Sequence, residues 1–279
     1  MLKSESLNNM NYNELIAIIG ETNRPPGGIR TVMDFVLNTN ITNNTKILEI
    51  GTSTGFTAIE LAKRTDASIT AIDINESSIS IATKRAIEQG VASKIDFIKA
   101  DATNLPFLNE EFDYIFSGNI ISYIPNRKKA LSEYIRVLKK NGVLFATPMY
   151  YLEEPSKHLI EDVREALKMN INIDYRDYWM DFFNINDLDL FLVEEFQFNY
   201  VPDKDIKEYV KNILLTNKNY LEQSIDDEEV MNEFSHLYEK YIYLFRDNLS
   251  KMGYSELFLR KNKYGFDQEL FTAHRRKTN

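Results

Sequence analysis

Between Lys46 and Pro148, short apolar runs alternate with amphipathic stretches, and this alternation constrains the fold more than any other feature of the chain. The runs are Ile47–Ile50, Ile69–Ile72, Ile95–Ile98, Tyr114–Phe116 and Val143–Ala146. Helix-like segments separate them, notably Phe56–Lys63, Glu76–Gln89 and Lys128–Leu138. Strands alternating with helices imply right-handed crossovers, hence a parallel sheet covered by helices on both faces. Gly90 and Asn141-Gly142 stand just past helices, where a left-handed cap is expected. With 43% hydrophobic residues, the chain has enough apolar material for a full core.

Outside this block the pattern changes. Tyr12, Leu15, Ile16 and Ile19 recur at helical spacing, Arg24-Pro25-Pro26-Gly27-Gly28 breaks the helix, and Ile29, Val32, Met33 and Val36 resume it. Asp226–Lys251 reads as a long amphipathic helix stopped by Gly253. Tyr254–Leu259 and Phe266–Ala273 read as two strands joined into a hairpin by a short loop ending in Gly265. Residues 150–225 are rich in aromatics and lack the core alternation. The expected division is a helical lid at 1–43, a core at 44–149, a mostly helical cap at 150–225 and a core completion at 226–279.

Several classes are disfavoured by composition. The chain has no cysteine, which excludes thiolate metal sites and cysteine nucleophiles, and its three histidines have no ligand-type spacing. A net charge of −9 argues against a nucleic-acid groove. No stretch approaches the roughly 20 apolar residues of a membrane span, and the first residues carry no signal-like apolar run. A cytoplasmic protein without metal, membrane or nucleic-acid partner is expected; its oligomeric state is not legible.

The most informative segment is Lys46-Ile-Leu-Glu-Ile-Gly-Thr-Ser-Thr-Gly-Phe56, a strand entering a glycine turn and then a helix. Gly51 permits the tight turn, and Gly55 is expected to let the backbone approach a ligand. A dinucleotide fingerprint needs glycines where Ser53 and Phe56 stand, so the nicotinamide reading loses. Asp73 ends the second run, 22 residues after Gly51, where a carboxylate accepts from ribose hydroxyls.

These residues resemble the class I S-adenosylmethionine-dependent methyltransferases, whose glycine motif E-x-G-x-x-x-G is matched by Glu49, Gly51 and Gly55. Asp101, ending the third run beside Ala102, matches the position that accepts from the adenine amine. Phe112-Asp113 through Ser117-Gly118-Asn119 matches the fourth strand, and Arg136 to Gly142 matches the turn into the fifth. The resemblance implies a Rossmann-like sheet of seven strands closed by an antiparallel hairpin, and S-adenosylmethionine as cofactor. Its implied contacts are Glu49, Gly51, Thr52, Ser53, Gly55, Asp73, Ile74, Asp101, Ala102 and Ser117. Arg24 or Arg30 is a candidate fork for the methionine carboxylate.

Methyl transfer from a sulfonium needs alignment and exclusion of water more than a dedicated catalytic residue, and none is assigned. Tyr150 and Tyr151 leave the fifth strand at the edge where α/β folds bind ligands, and with Trp179 and Asn119 they are the expected substrate contacts. Ser117-Gly118-Asn119 lacks the Pro-Pro of nucleic-acid amino-methylating enzymes, which leaves a small molecule or short peptide as acceptor. Residues 151–195 hold 12 Asp and Glu against 4 Lys and Arg. That concentration is either a solvated surface or a funnel for a cationic N-acceptor, and a hydroxyl acceptor stays open beside it. Two further functions stay open too: a cofactor-binding regulatory module without catalysis, and an aminopropyl-type transferase.

Overall fold

The structure, a computed structural model, describes residues 2–261. Its sheet contains β1 (Lys46–Ile50), β2 (Ser68–Asp73), β3 (Ile95–Lys99), β4 (Phe112–Ser117), β5 (Leu138–Ala146), β6 (Met149–Tyr151), β7 (Leu188–Gln197) and β8 (Met252–Lys261). The order β3-β2-β1-β4-β5 is parallel throughout. β8 then runs antiparallel between β5 and β7. Ala146 faces Leu257 and Met149 faces Tyr254, so β6 continues the register of β5 across Thr147-Pro148. The eight strands therefore occupy seven positions, as the class I resemblance implies.

The antiparallel closure comes from a different segment than expected. β7, inside the expected cap, pairs with β8 over almost its whole length, from Leu188 opposite Lys261 to Gln197 opposite Gly253. Its alternation is blurred because its outer edge is half-exposed on both faces, which hides a strand in an aromatic-rich sequence. The expected second hairpin strand, Phe266–Ala273, lies outside the described residues.

Eleven helices surround the sheet among the described residues: α1 (Ser4–Leu7), α2 (Tyr12–Ile19), α3 (Ile29–Leu37), α4 (Phe56–Arg64), α5 (Glu76–Glu88), α6 (Arg127–Val137), α7 (Lys157–Leu167), α8 (Arg176–Phe183), α9 (Asp203–Thr216), α10 (Lys218–Leu221) and α11 (Glu228–Leu249). Each face of the sheet buries its own apolar layer, which is why the central strands read as unbroken apolar runs. Leu48, Ile115, Leu144, Tyr134 and Trp179 belong to one layer; Ile47, Phe116, Phe145, Phe35 and Leu61 belong to the other. A separate cluster joins α2, α9 and α11 through Leu15, Ile19, Val210, Phe234 and Tyr238. Asn11 starts α2 with a reciprocal capping box, its side chain accepting from Glu14 N–H while Glu14 accepts from Asn11 N–H.

β8 also carries a carboxyl into the interior. Glu256 is fully buried and accepts from Thr31 Oγ1 at 2.9 Å, which ties α3 to the sheet. No helix of the described residues is long and apolar enough to cross a membrane.

Candidate active site

A cavity of about 920 Å³ opens at the C-terminal ends of β1, β2 and β4, where open α/β sheets hold their ligands. Its floor begins with the glycine turn. Gly51 and Thr52 both donate their N–H to Ile72 O at 2.9 Å, which seats the turn across the end of β2. Gly51 has φ +76°, and a Cβ there would come within 2.6 Å of Ile120. Ser53, also left-handed, donates its N–H to Asp73 Oδ2 at 2.9 Å, while Asn75 N–H reaches Oδ1 at 2.9 Å. Each oxygen of Asp73 thus accepts one backbone donor and keeps acceptor capacity for a ligand.

Glu49 lies beneath this floor, buried within β1, and takes the Thr52 hydroxyl at 2.7 Å. Burial pushes its carboxyl up to about 7, against the lowering effect of that hydrogen bond. Glu49 and Thr52 shape the turn from below and do not line the cavity.

Arg24, Gly51, Ser53, Asp73, Asn119 and Tyr151 do line the cavity. The Arg24 guanidinium sits over the Phe56 ring at 5.1 Å, beside the start of α4. Arg30 instead pairs with Asp34 and covers Phe196, away from the cavity. Asn119 Oδ1 accepts from Ser122 Oγ at 2.6 Å and from Met149 N–H at 2.9 Å, joining the β4 exit to β6. Tyr151 donates its hydroxyl to Asn248 Oδ1 at 2.8 Å.

Other expected contacts lie elsewhere. Gly55 meets α5: its missing Cβ leaves room for Ala82, 2.9 Å from where that atom would stand, so its smallness serves helix packing. Ser117 is buried at the end of β4. Asp101 folds back on its own turn, accepting from Thr103 N–H at 2.7 Å, a bond that holds its carboxyl below the usual range. Ala102 packs on the core beside it, and Ile74 is 69% exposed. Tyr150 and Trp179 are core residues. A strand turns alternate side chains to opposite faces, so Tyr150 points away from the side Tyr151 takes, with its hydroxyl near Ser255. Trp179 donates Nε1–H to Met149 O at 3.0 Å and packs under Arg127 at 4.7 Å.

The acidic segment also lies largely outside the cavity. Of its 12 carboxyl groups only Asp174 lines the wall, and Arg127 pairs with it at 2.7 Å. Missing from the sequence reading was most of the opposite wall: Tyr12 and Glu21 from the N-terminal segment, and Phe245 and Asn248 from α11. In the sequence Tyr12 reads only as part of an apolar stripe. Asn23 was also missed, although it adjoins the Pro-Pro-Gly-Gly break; it donates to Ser53 Oγ at 3.3 Å and ties the lid to the turn.

The family model for a methyltransferase domain matches residues 41–187, more than half of the chain. The chain belongs to this family. It is a class I S-adenosylmethionine-dependent methyltransferase. An uncharacterized protein of Haemophilus influenzae is 30% identical over 170 residues, covering 60% of this methyltransferase and 68% of that protein. The ubiquinone/menaquinone biosynthesis C-methyltransferase UbiE of Bartonella quintana is 35% identical over 123 residues, 43% of this chain and 47% of its own length. The match thus spans about half of that relative. Among solved structures, the MccD protein superposes with a TM-score of 0.73 at 25% identity, covering 86% of this chain and all of that one.

The residues at the turn suit S-adenosylmethionine. Asp73 offers acceptor capacity for ribose hydroxyls, and Arg24 offers a fork for a carboxylate. Thr54 Oγ1, on the cavity wall, is buried with no hydrogen-bond partner among the described residues, as expected of a group that meets a ligand.

Proposed function

We propose that this methyltransferase transfers the methyl group to a small acceptor seated in the same cavity, against the wall built by α2, α7 and α11. The observation that carries the reading is continuity: one space of about 920 Å³ runs from Gly51, Ser53 and Asp73 to Tyr123, Met149, Tyr151 and Phe245. That volume lies near the top of the roughly 300–1,000 Å³ range of ligand pockets, which suits a cofactor and a second molecule together.

Division of labour follows from position. Asp73 takes the ribose hydroxyls, Arg24 and Thr54 take the amino-acid end, and Glu49 with Thr52 keeps the turn in shape. When bound, S-adenosylmethionine supplies an already electrophilic methyl group, so the protein's task is to align the acceptor and exclude water. The far wall is suited to that. Burial pushes the Tyr151 hydroxyl up to about 12, so it stays protonated at neutral pH and orients a ligand without deprotonating it. Tyr151 is thereby no ready base, which suits an acceptor atom that is nucleophilic without its help, such as an activated carbon or a free amine. The curated C-methyltransferase relative supports the first of these.

The test is direct. The purified protein is incubated with trideuteromethyl-labelled cofactor and a metabolite extract, and the extract is searched for a small molecule that gains the labelled methyl. A labelled small molecule is the expected result. Cofactor binding without any labelled product, in extracts of several chemical classes, would overturn the reading.

A further inference from the structure

The helical wall contains a carboxylate that stands in no ion pair among the described residues. Glu21 lines the cavity just past α2, where Gly20 turns left-handed at φ +78° and Glu21 N–H returns to Ile16 O at 3.0 Å. Arg85 donates to Gly20 O at 3.2 Å, fixing the same corner from α5. Two tyrosine hydroxyls grip the side chain: Tyr209 donates to Oε1 at 2.9 Å and Tyr238 to Oε2 at 2.8 Å. Burial, reinforced by the Glu21 charge, raises both hydroxyls, Tyr209 to about 12, so they hold the carboxylate as neutral donors.

The other cavity carboxylates are engaged differently. Glu14 is held in the α2 capping box, Asp73 by two turn amides, and Asp174 by Arg127. None of the ion pairs among the described residues includes Glu21. Half-buried charge outside an ion pair is costly, and a ligand that brings a direct partner would relieve that cost. Tyr12 and Phe245, ring centroids 4.4 Å apart, line the same cavity as Glu21. The Glu21 charge reaches Tyr12 and contributes to raising its hydroxyl. A cavity that holds both a carboxylate and aromatic rings favours an ammonium group over a neutral one.

We propose that Glu21, gripped by Tyr209 and Tyr238 on the wall of the cavity that Tyr12 and Phe245 also line, is an ammonium-binding site. It rests on the methyltransferase reading of the cavity, and the ammonium comes either from the amino-acid end of the cofactor or from the methyl acceptor. Loss of one charge-assisted contact corresponds to roughly tenfold or more in affinity.

Two pairs of probes separate the sources by calorimetry on the whole chain. S-adenosylhomocysteine is compared with its des-amino analogue, and, at saturating S-adenosylhomocysteine, tyramine is compared with 4-ethylphenol. If the cofactor is the source, the first pair differs at least tenfold in the wild type and the difference collapses in Glu21→Gln. If the acceptor is the source, the second pair behaves so. Tyr209→Phe, which loosens the grip but keeps the charge, is expected to retain whichever preference the wild type shows. Should Glu21→Gln fail to fold, Glu21→Asp replaces it, with the preference reduced because the shorter arm withdraws the charge. Both ratios indifferent to Glu21, with S-adenosylhomocysteine still bound, would overturn the ammonium site alone. Absence of S-adenosylhomocysteine binding in the wild type would overturn the reading of the cavity, and this site with it.

Discussion

The two walls of the cavity are made in opposite ways. The sheet wall is local and uses the backbone: residues 49–55 fold onto Asp73, and backbone amides hold its charge. The helical wall is long-range and uses side chains: Tyr238 reaches Glu21 across 217 positions, and Tyr151 reaches Asn248 across 97. A local wall can specify a common cofactor by a short motif, whereas a wall assembled from distant helices can vary its side chains independently.

The difference can be broken first at Gly51. Gly51→Ala forces a Cβ toward Ile120 at φ +76°. Left-handed strain and overpacking together are expected to cost about 2–5 kcal/mol. The outcome is read as a lower thermal midpoint by circular dichroism; an unchanged midpoint would mean that the turn is not held as described.

Asp73→Ala is expected to act next most strongly, and on affinity. With Asp73 taking the ribose hydroxyls as proposed, its removal is expected to cost about 1.5–3 kcal/mol, or roughly 10- to 150-fold in S-adenosylhomocysteine affinity by calorimetry. The helical wall should be indifferent, so the tyrosine-based Glu21 grip is untouched. Equal affinity in variant and wild type would remove Asp73 from the cofactor site.

The sheet wall and its neighbour on β8 also predict a pH signature. Burial raises Glu49 from its ordinary 4.5 to about 7, and does the same to Glu256. A folded-state value above the unfolded one means that the stability each group allows is fully present below about pH 4.5 and is lost as pH rises through about 7. Glu49→Gln and Glu256→Gln should therefore gain stability relative to the wild type between about pH 5 and pH 8, by urea unfolding. A difference that stays flat with pH would show that these carboxyls ionise freely.

The smallest effect belongs to the acidic segment. Glu153, Glu154, Glu161 and Asp162 do not line the cavity, and Glu153 is occupied by Lys251. Neutralising all four is expected to leave S-adenosylhomocysteine affinity within about twofold and stability within about 1 kcal/mol, since exposed charges contribute little. A larger change in the labelled-product profile than in affinity would restore the funnel reading.

The same contrast explains what the sequence made legible. All five apolar runs of 46–148 became β1 to β5, because two-sided burial imprints itself on consecutive residues. The Glu49–Gly51–Asp73 constellation was legible because its members are spaced by one strand, one turn and one crossover. β7 was not, since a half-exposed outer strand has no clean period. Tyr150 and Tyr151 were adjacent in sequence and therefore indistinguishable, although the pleat sends only the second to the cavity. Asp101 and Gly55 matched their motif positions, yet in this structure one caps its own turn and the other spaces two helices. Glu21 and Phe245 carried no local signal at all: their meaning arises only when α2 meets α11.

The place of β8 governs the order in which this molecule can be made. The chain leaves the ribosome with β1 to β5 first, and β7 follows without the strand it bonds to. β8 supplies the ladder for β5 and β6 on one edge and for β7 on the other, and the whole of α11 precedes it. A growing chain that has not reached residue 252 holds the glycine turn and Asp73 but leaves β7 unbonded. Until α11 emerges, Tyr12 and Glu21 also wait without their partners there, so apolar and edge-strand surface stays open to misassociation until then. Cofactor captured before α11 and β8 are in place would meet only one wall, and full retention of the ligand waits for both elements.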